Sequence, residues 1–98
     1  MSIVLTQDMP GATKEMIEAV NAELHIDVDR PRGLVLHTAS ETSDGIRVVD
    51  VWESEADFHT FEHDRLQPAI AVVAERFGMD LDRMPPPRQQ IAEAFDLR

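Results

Sequence analysis

The sequence predicts an α+β domain in which one antiparallel sheet carries helices on a single face. Three observations predict it. Short β-rich runs alternate with stretches of helical periodicity in the order strand, helix, strand, strand, helix, strand. The two central runs are separated by Ser43-Asp44-Gly45, residues that accept the positive φ of a tight hairpin. The composition, 43% hydrophobic and 29% charged, is ordinary for a globular chain. With 98 residues, the chain is expected to form one domain spanning 1–98, because so short a chain buries only about 60–65% of its unfolded surface and cannot support two cores.

The first strand is read from Ile3, Val4 and Leu5 within Ser2 to Gln7, and it stops at Asp8-Met9-Pro10-Gly11, whose Pro-Gly pair marks a turn. Thr13 then suits an N-cap. Met16, Ile17, Val20 and Leu24 recur at three- and four-residue spacing, so a helix runs to about Leu24. Ile26 to Arg32 is polar, contains Pro31 and leads through Gly33 into a second strand, Leu34 to Ala39. The hairpin returns as Ile46 to Trp52.

Ser54-Glu55-Ala56-Asp57 places a hydroxyl at an N-cap and a carboxylate three residues on, which opens a second helix with Phe58, Phe61 and Leu66 on its apolar stripe. Pro68 lacks the amide proton a continuous helix needs, so the segment kinks or restarts there and continues through Ile70, Val73 and Phe77 to Gly78. Met79 to Pro87 reads as a linker ending in three prolines. Gln90 to Leu97 follows as a fourth strand with Ile91, Phe95 and Leu97 on one alternation; a short helix, from the Ala and Glu content, is the competing assignment. The resulting order is the ferredoxin-like, split βαβ pattern with a four-stranded antiparallel sheet.

Charge and composition exclude several functions. Nineteen acidic against nine basic residues give a net charge of -10, which repels phosphate backbones and anionic headgroups, so neither nucleic acid nor membrane is an expected partner. The absence of cysteine excludes disulfides, thiolate metal sites and thiol nucleophiles. The N-terminal stretch lacks a basic region and its apolar run is too short for a signal peptide or a span, which predicts a cytoplasmic protein.

If the hairpin closes around Glu41 to Asp44, Leu36 lies opposite Val49 and His37 opposite Val48. One face then holds Leu34, Leu36, Thr38, Val49 and Val51 and is expected under the helices. The other holds Val35, His37, Ala39, Ile46, Val48, Asp50 and Trp52 and is the candidate pocket wall. Helices cover only one face, so the apolar residues of the other favour pairing with a second copy, a homodimer. Asp50 stands inside an apolar strand, where a carboxylate needs a partner: His37, Arg47 or a backbone donor. His37 and Asp50 are the candidate acid-base pair; a hydrogen-bonded structural histidine is the plainer alternative. Val35 and Trp52 on the same wall, with Phe61, His59 and His63 on the second helix, are candidate ligand contacts.

His59-Thr60-Phe61-Glu62-His63 matches the H-x-x-E-H pattern of inverted zinc peptidases, in which two histidines hold zinc and the glutamate activates water. A catalytic zinc also needs a third ligand from a distant segment and a cleft, and only 35 residues follow His63. No metal site is expected; a solvated pair at the rim of the helix stripe is.

The run Gly33-Leu34-Val35-Leu36-His37-Thr38-Ala39, then Asp44-Gly45-Ile46-Arg47-Val48-Val49-Asp50-Val51-Trp52-Glu53-Ser54, with the early Met9-Pro10-Gly11-Ala12-Thr13 turn, resembles the antibiotic biosynthesis monooxygenase-like (ABM) proteins, above all small members without an assigned reaction. The resemblance covers nearly the whole chain. It implies a homodimeric α+β barrel with a pocket between sheet and helices in each subunit; among such proteins some oxidise polycyclic phenols or quinols with molecular oxygen and no bound metal or flavin, some degrade haem, and others have no known reaction. The haem-degrading branch uses a strand-one asparagine, a helical tryptophan and a ligating histidine; aligned with it, this chain has Gln7 or its neighbour, Phe61 and Ala71, so haem degradation is not expected. The function expected is a cofactor-independent monooxygenase or a dimer binding a small aromatic or quinone ligand. The alternative is a non-catalytic binding or interaction protein of the same fold.

Overall fold

A computed structural model describes residues 1–98. Along the chain run β1 (Ile3–Pro10), α1 (Lys14–Leu24), β2 (Leu34–Glu41), β3 (Gly45–Trp52), α2 (Glu55–Phe61), a π-helical turn (Glu62–Leu66), α3 (Gln67–Arg76), a 3₁₀ turn (Leu81–Arg83) and β4 (Arg88–Glu93). The strands form one antiparallel sheet in the order β2-β3-β1-β4, the ferredoxin-like arrangement that the element pattern predicts. No helix is long and apolar enough to cross a membrane.

Both helix starts follow their sequence signals. The Thr13 hydroxyl accepts from the Met16 amide at 3.2 Å, and the Met16 sulfur accepts from the Thr13 amide at the same distance, a capping box closed by a thioether. The Ser54 hydroxyl accepts from the Asp57 amide at 3.0 Å. Gly33, at φ +85°, sits directly behind that cap, where a Cβ would overlap the Asp57 carboxylate; only glycine lets the start of β2 lie so close to α2. The kink expected at Pro68 is absorbed upstream by the π-helical turn. α3 then restarts with Pro68 in its first turn, where a missing N–H costs little.

The fourth strand is a strand and not a helix, but its limits differ from expectation. It begins at Arg88 and ends at Glu93, because Glu93 pairs with Ile3 and the Ala94 amide makes a last bond to the Ser2 carbonyl, after which β1 offers no further partner. Phe95 therefore lies off the sheet, 98% exposed, and Leu97 is exposed with it.

The hairpin register also needs correction. Thr42 donates its amide to the Gly45 carbonyl at 2.8 Å, and its hydroxyl accepts from the Gly45 amide at 3.1 Å, so Ser43 and Asp44 alone form the tip, and neither they nor Gly45 takes the positive φ expected there. Leu36 consequently faces Val51 and His37 faces Asp50, two residues from the expected pairing. A β-bulge at Val35 follows, with Leu34 paired to Trp52.

Helices lie on the face opposite to the one expected for them. His37, Val48, Asp50 and Trp52 point into the helical layer, while Leu36, Thr38, Val49 and Val51 point away from it. Burial of the largest side chain decides the facing: Trp52 is 1% exposed and packs with Ile3, Leu5, Phe58 and Phe61, whereas Leu36 on the open face is 51% exposed. The bulge moves Leu34 to the helical side, so that member of the expected set does join the core.

The open face grades from apolar to charged. Val4, Leu36, Val51 and Ala92 stand at one end, and Asp8, flanked by Arg47 and Arg88, at the other. Arg47 reaches Asp8 through Nε at 2.7 Å and Nη2 at 3.4 Å. The Arg47 hydrogen bond holds the Asp8 carboxyl below its ordinary 3.8, against a smaller opposing effect of desolvation, and the same bond raises Arg47. A depressed carboxyl pKa adds stability that is complete above the unfolded-state value and is lost as the pH falls through the folded-state value. Thermal unfolding followed on acidification below about pH 4 is expected to show a drop in melting temperature that Asp8→Asn flattens; identical acid limbs for the two proteins would refute the role of the pair.

Candidate functional site

Asp50 is the one buried charged residue, 6% exposed, on the helix-facing side of β3. Its carboxylate finds the partners that its burial requires. Oδ1 lies 2.7 Å from His37 Nδ1 across the hairpin, and Oδ2 accepts from Trp52 Nε1 at 3.3 Å from two residues along the same strand. An ionised carboxylate only accepts, so it keeps the proton of neutral His37 on Nδ1 and leaves the lone pair on Nε2. Nε2 is buried and has no hydrogen-bond partner. The arrangement is a base oriented by an acid, with its working atom unused, and an imidazolium formed at Nε2 would be stabilised by the carboxylate at 2.7 Å.

These residues line a cavity of about 160 Å³ between the sheet and helices α1 and α3. Twenty of its 24 lining residues are hydrophobic, and the other four are Gln7, Asn21, His37 and Asp50. No lysine or arginine reaches it. A 150 Å³ apolar cavity in another protein holds one benzene, so about 160 Å³ suits a single ring.

Of the residues singled out from sequence, His37, Asp50, Trp52 and Phe61 are brought together here. The Trp52 and Phe61 rings lie 5.2 Å apart between centroids, tilted by 36°, and Phe58 meets Trp52 edge-on at 5.6 Å. Val35, His59 and His63 are elsewhere. The bulge turns the Val35 side chain to the surface, and its carbonyl accepts from Arg30 Nη2 at 2.9 Å. His59 lies on the outer side of α2, with Nε2 3.3 Å from Glu55 and Nδ1 3.5 Å from Glu62. The His63 side chain is 84% exposed and pairs with the adjacent Asp64 at 2.8 Å. The two histidines of the H-x-x-E-H run thus turn to different carboxylates, and no three His, Asp or Glu side chains are placed to hold one metal ion. Neither borders the cavity.

Sequence reasoning did not single out Gln7, Asn21, Met9, Met79 or Met84 as lining residues. Gln7 and Met9 carry a readable signal, because they continue the alternation of Ile3 and Leu5 along β1. Met79 and Met84 follow no periodicity that would have exposed them.

Asp50→Leu, which leaves the His37 and Trp52 donors facing an apolar side chain, is expected to lower unfolding free energy by about 1–3 kcal/mol in denaturant titrations. His59→Ala and His63→Ala should stay within about 0.5 kcal/mol of the parent. An Asp50→Leu protein as stable as the parent would show that the network does not hold the site.

No known family profile matches the sequence, and no curated protein is similar to it at the sequence level. Solved structures are similar. SnoaB of Streptomyces nogalater, a cofactor-independent oxygenase, superposes with a TM-score of 0.60 at 16% identity, covering 98% of this chain and 94% of that one. An antibiotic biosynthesis monooxygenase gives 0.61 at 12% identity over 98% of this chain and 100% of its own. The NE2512 protein of Nitrosomonas europaea, of unknown function, gives 0.65 at 13% identity over 99% and 91%. Across nearly its whole length, therefore, this chain has the fold of the antibiotic biosynthesis monooxygenases.

Proposed function

We propose that the protein is a cofactor-independent monooxygenase of the ABM type acting on a small phenolic ligand, with His37 as the base. The observation that carries this reading is the buried, unpartnered Nε2 of His37, whose Nδ1 is held by Asp50 inside an apolar cavity. A phenol entering the cavity would donate its O–H to Nε2. Transfer of that proton gives an electron-rich phenolate and an imidazolium paired with Asp50; dioxygen would then bond to the ring carbon beside the phenolic oxygen, and cleavage of the O–O bond with loss of that carbon's hydrogen would leave a quinone and water, the ring supplying all four electrons. Trp52 and Phe61 bound the space for the ring. The likeness to SnoaB, a cofactor-independent oxygenase, supports the same reading. Haem is a poor fit for a cavity of about 160 Å³, well below the several hundred Å³ of pockets for larger ligands.

Oxygen consumption with a panel of phenols and hydroquinones tests the proposal. His37→Ala is expected to lower the rate by about 10²–10⁴-fold, the usual worth of a positioned base. Undiminished turnover by His37→Ala would remove the assignment. Binding without oxygen uptake by the parent protein would favour the non-catalytic alternative, in which the same nitrogen only accepts a hydrogen bond.

A homodimer belongs to the same proposal. Leu36, half exposed, stands with Val4 and Ala92 on the open sheet face, and a second copy laid against it would remove that apolar area from water. The parent is expected to sediment as a dimer and Leu36→Glu as a monomer; a parent that sediments as a monomer at all concentrations would exclude the dimer.

A further inference from the structure

The cavity has two unlike ends. At one, Leu34, Trp52 and Phe58 are buried within the aromatic core. At the other stand Met9, Met16, Met79 and Met84, every methionine of the chain apart from Met1. They come from β1, the first turn of α1, the stretch after α3 and the exit of the 3₁₀ turn. These segments meet where β1 ends, because α1 begins just beyond it and β4 starts opposite Asp8. All four methionines are partly exposed and Leu81 among them is exposed, so the cavity reaches solvent at this end. The β1–β3 register orders the floor between the ends: Trp52 beside Ile3, Asp50 beside Leu5, Val48 beside Gln7 and Ile46 beside Met9. A ligand entering at the methionines therefore meets His37 and Asp50 only after passing Gln7.

We infer that the cavity selects uncharged single-ring phenols carrying a short, unbranched apolar tail opposite the hydroxyl, with the tail among the four methionines. This rests on the reading of His37 as acceptor of the phenolic hydroxyl. Three features restrict the class. The volume, about 160 Å³, is that of one ring, so any group beyond the ring needs walls that can yield, and the interlocked rings around Trp52 cannot. No cationic side chain lines the cavity, and Asp50 already places a negative charge there in a protein of net charge -10, so a carboxylate on the tail would be buried unpaired. Thioether side chains with three rotatable bonds yield to an unbranched chain and close around it, unlike the stiff aromatic end.

Trp52, the sole tryptophan, lines the cavity and reports binding by its fluorescence. Titrations of the full chain would compare phenol, para-ethylphenol, para-propylphenol, propylbenzene and para-hydroxyphenylpropanoate. Affinity is expected to rise about fourfold per methylene from phenol to para-propylphenol, as burial of each CH₂ predicts. The propanoate should bind at least about tenfold more weakly than para-propylphenol. Met84→Arg, a change at a partly exposed residue outside helices and strands, should reverse that last preference by supplying the missing cation. A tail series without a gradient, or a propanoate that binds the parent as well as para-propylphenol does, would overturn the selectivity while leaving His37 its role, provided propylbenzene stays weak. Propylbenzene binding as tightly as para-propylphenol would overturn the His37 reading, and the phenol selectivity with it.

Discussion

A carboxylate that has lost its water must be given donors, and Asp50 imposes that requirement on the structure around it. It lies on the middle of β3 with both oxygens engaged, one by an imidazole from the neighbouring strand and one by the indole two residues away. The imidazole is available only if the hairpin brings His37 directly opposite. The indole nitrogen is available only if Trp52 turns its edge toward Asp50, and that orientation sets how Phe58 and Phe61 can pack on its ring. Because those two phenylalanines belong to α2, the placement of the helical layer is coupled to the hydrogen bonds of one buried charge.

The interior keeps a cavity rather than closing into a packed core, and its lining changes along its length. At the Trp52 end, large rings interlock and exclude solvent. Past Asp50 the lining changes to a carboxamide at Gln7 and thioethers beyond, which are groups of lower shape definition, drawn from segments that meet only at the end of the sheet. Polar atoms are few but aligned: the dyad sits at the boundary between the rigid and the adaptable half. Orientation comes from the rigid side and access from the other.

Much of this was legible locally. The Thr13 and Ser54 caps and the break near Pro68 are set by near neighbours in the chain, and the sequence signals located them. The facing of the sheet was not legible from the hairpin. Ile46 and Val48 on one side of β3 compete with Val49 and Val51 on the other, and the tie is broken by Ile3, Leu5 and the helix aromatics, all distant in sequence. The register expected from the hairpin and the one formed differ by two residues, an even number, so His37 and Asp50 share a wall in both, although the direction of that wall is reversed. His59 and His63 show the converse: spacing along one helix says nothing about a third group, and each ring found its own carboxylate. Met79 and Met84 lie in a proline-rich stretch whose path is set by the return of β4.

The bulge at Val35 gives β2 two alternation phases. From Leu36 onward the odd-numbered residues point at the helices, His37 among them, whereas before the bulge it is the even-numbered Leu34 that does. The extra residue works as a clutch: it lets the cohesive end of the strand and its chemical middle each take the parity they need without sharing one. Loss of a single residue there would leave every side chain of the core and of the dyad present, yet only one of the two groups could face inward. The position tolerates many side chains, being at the surface, and no change of length.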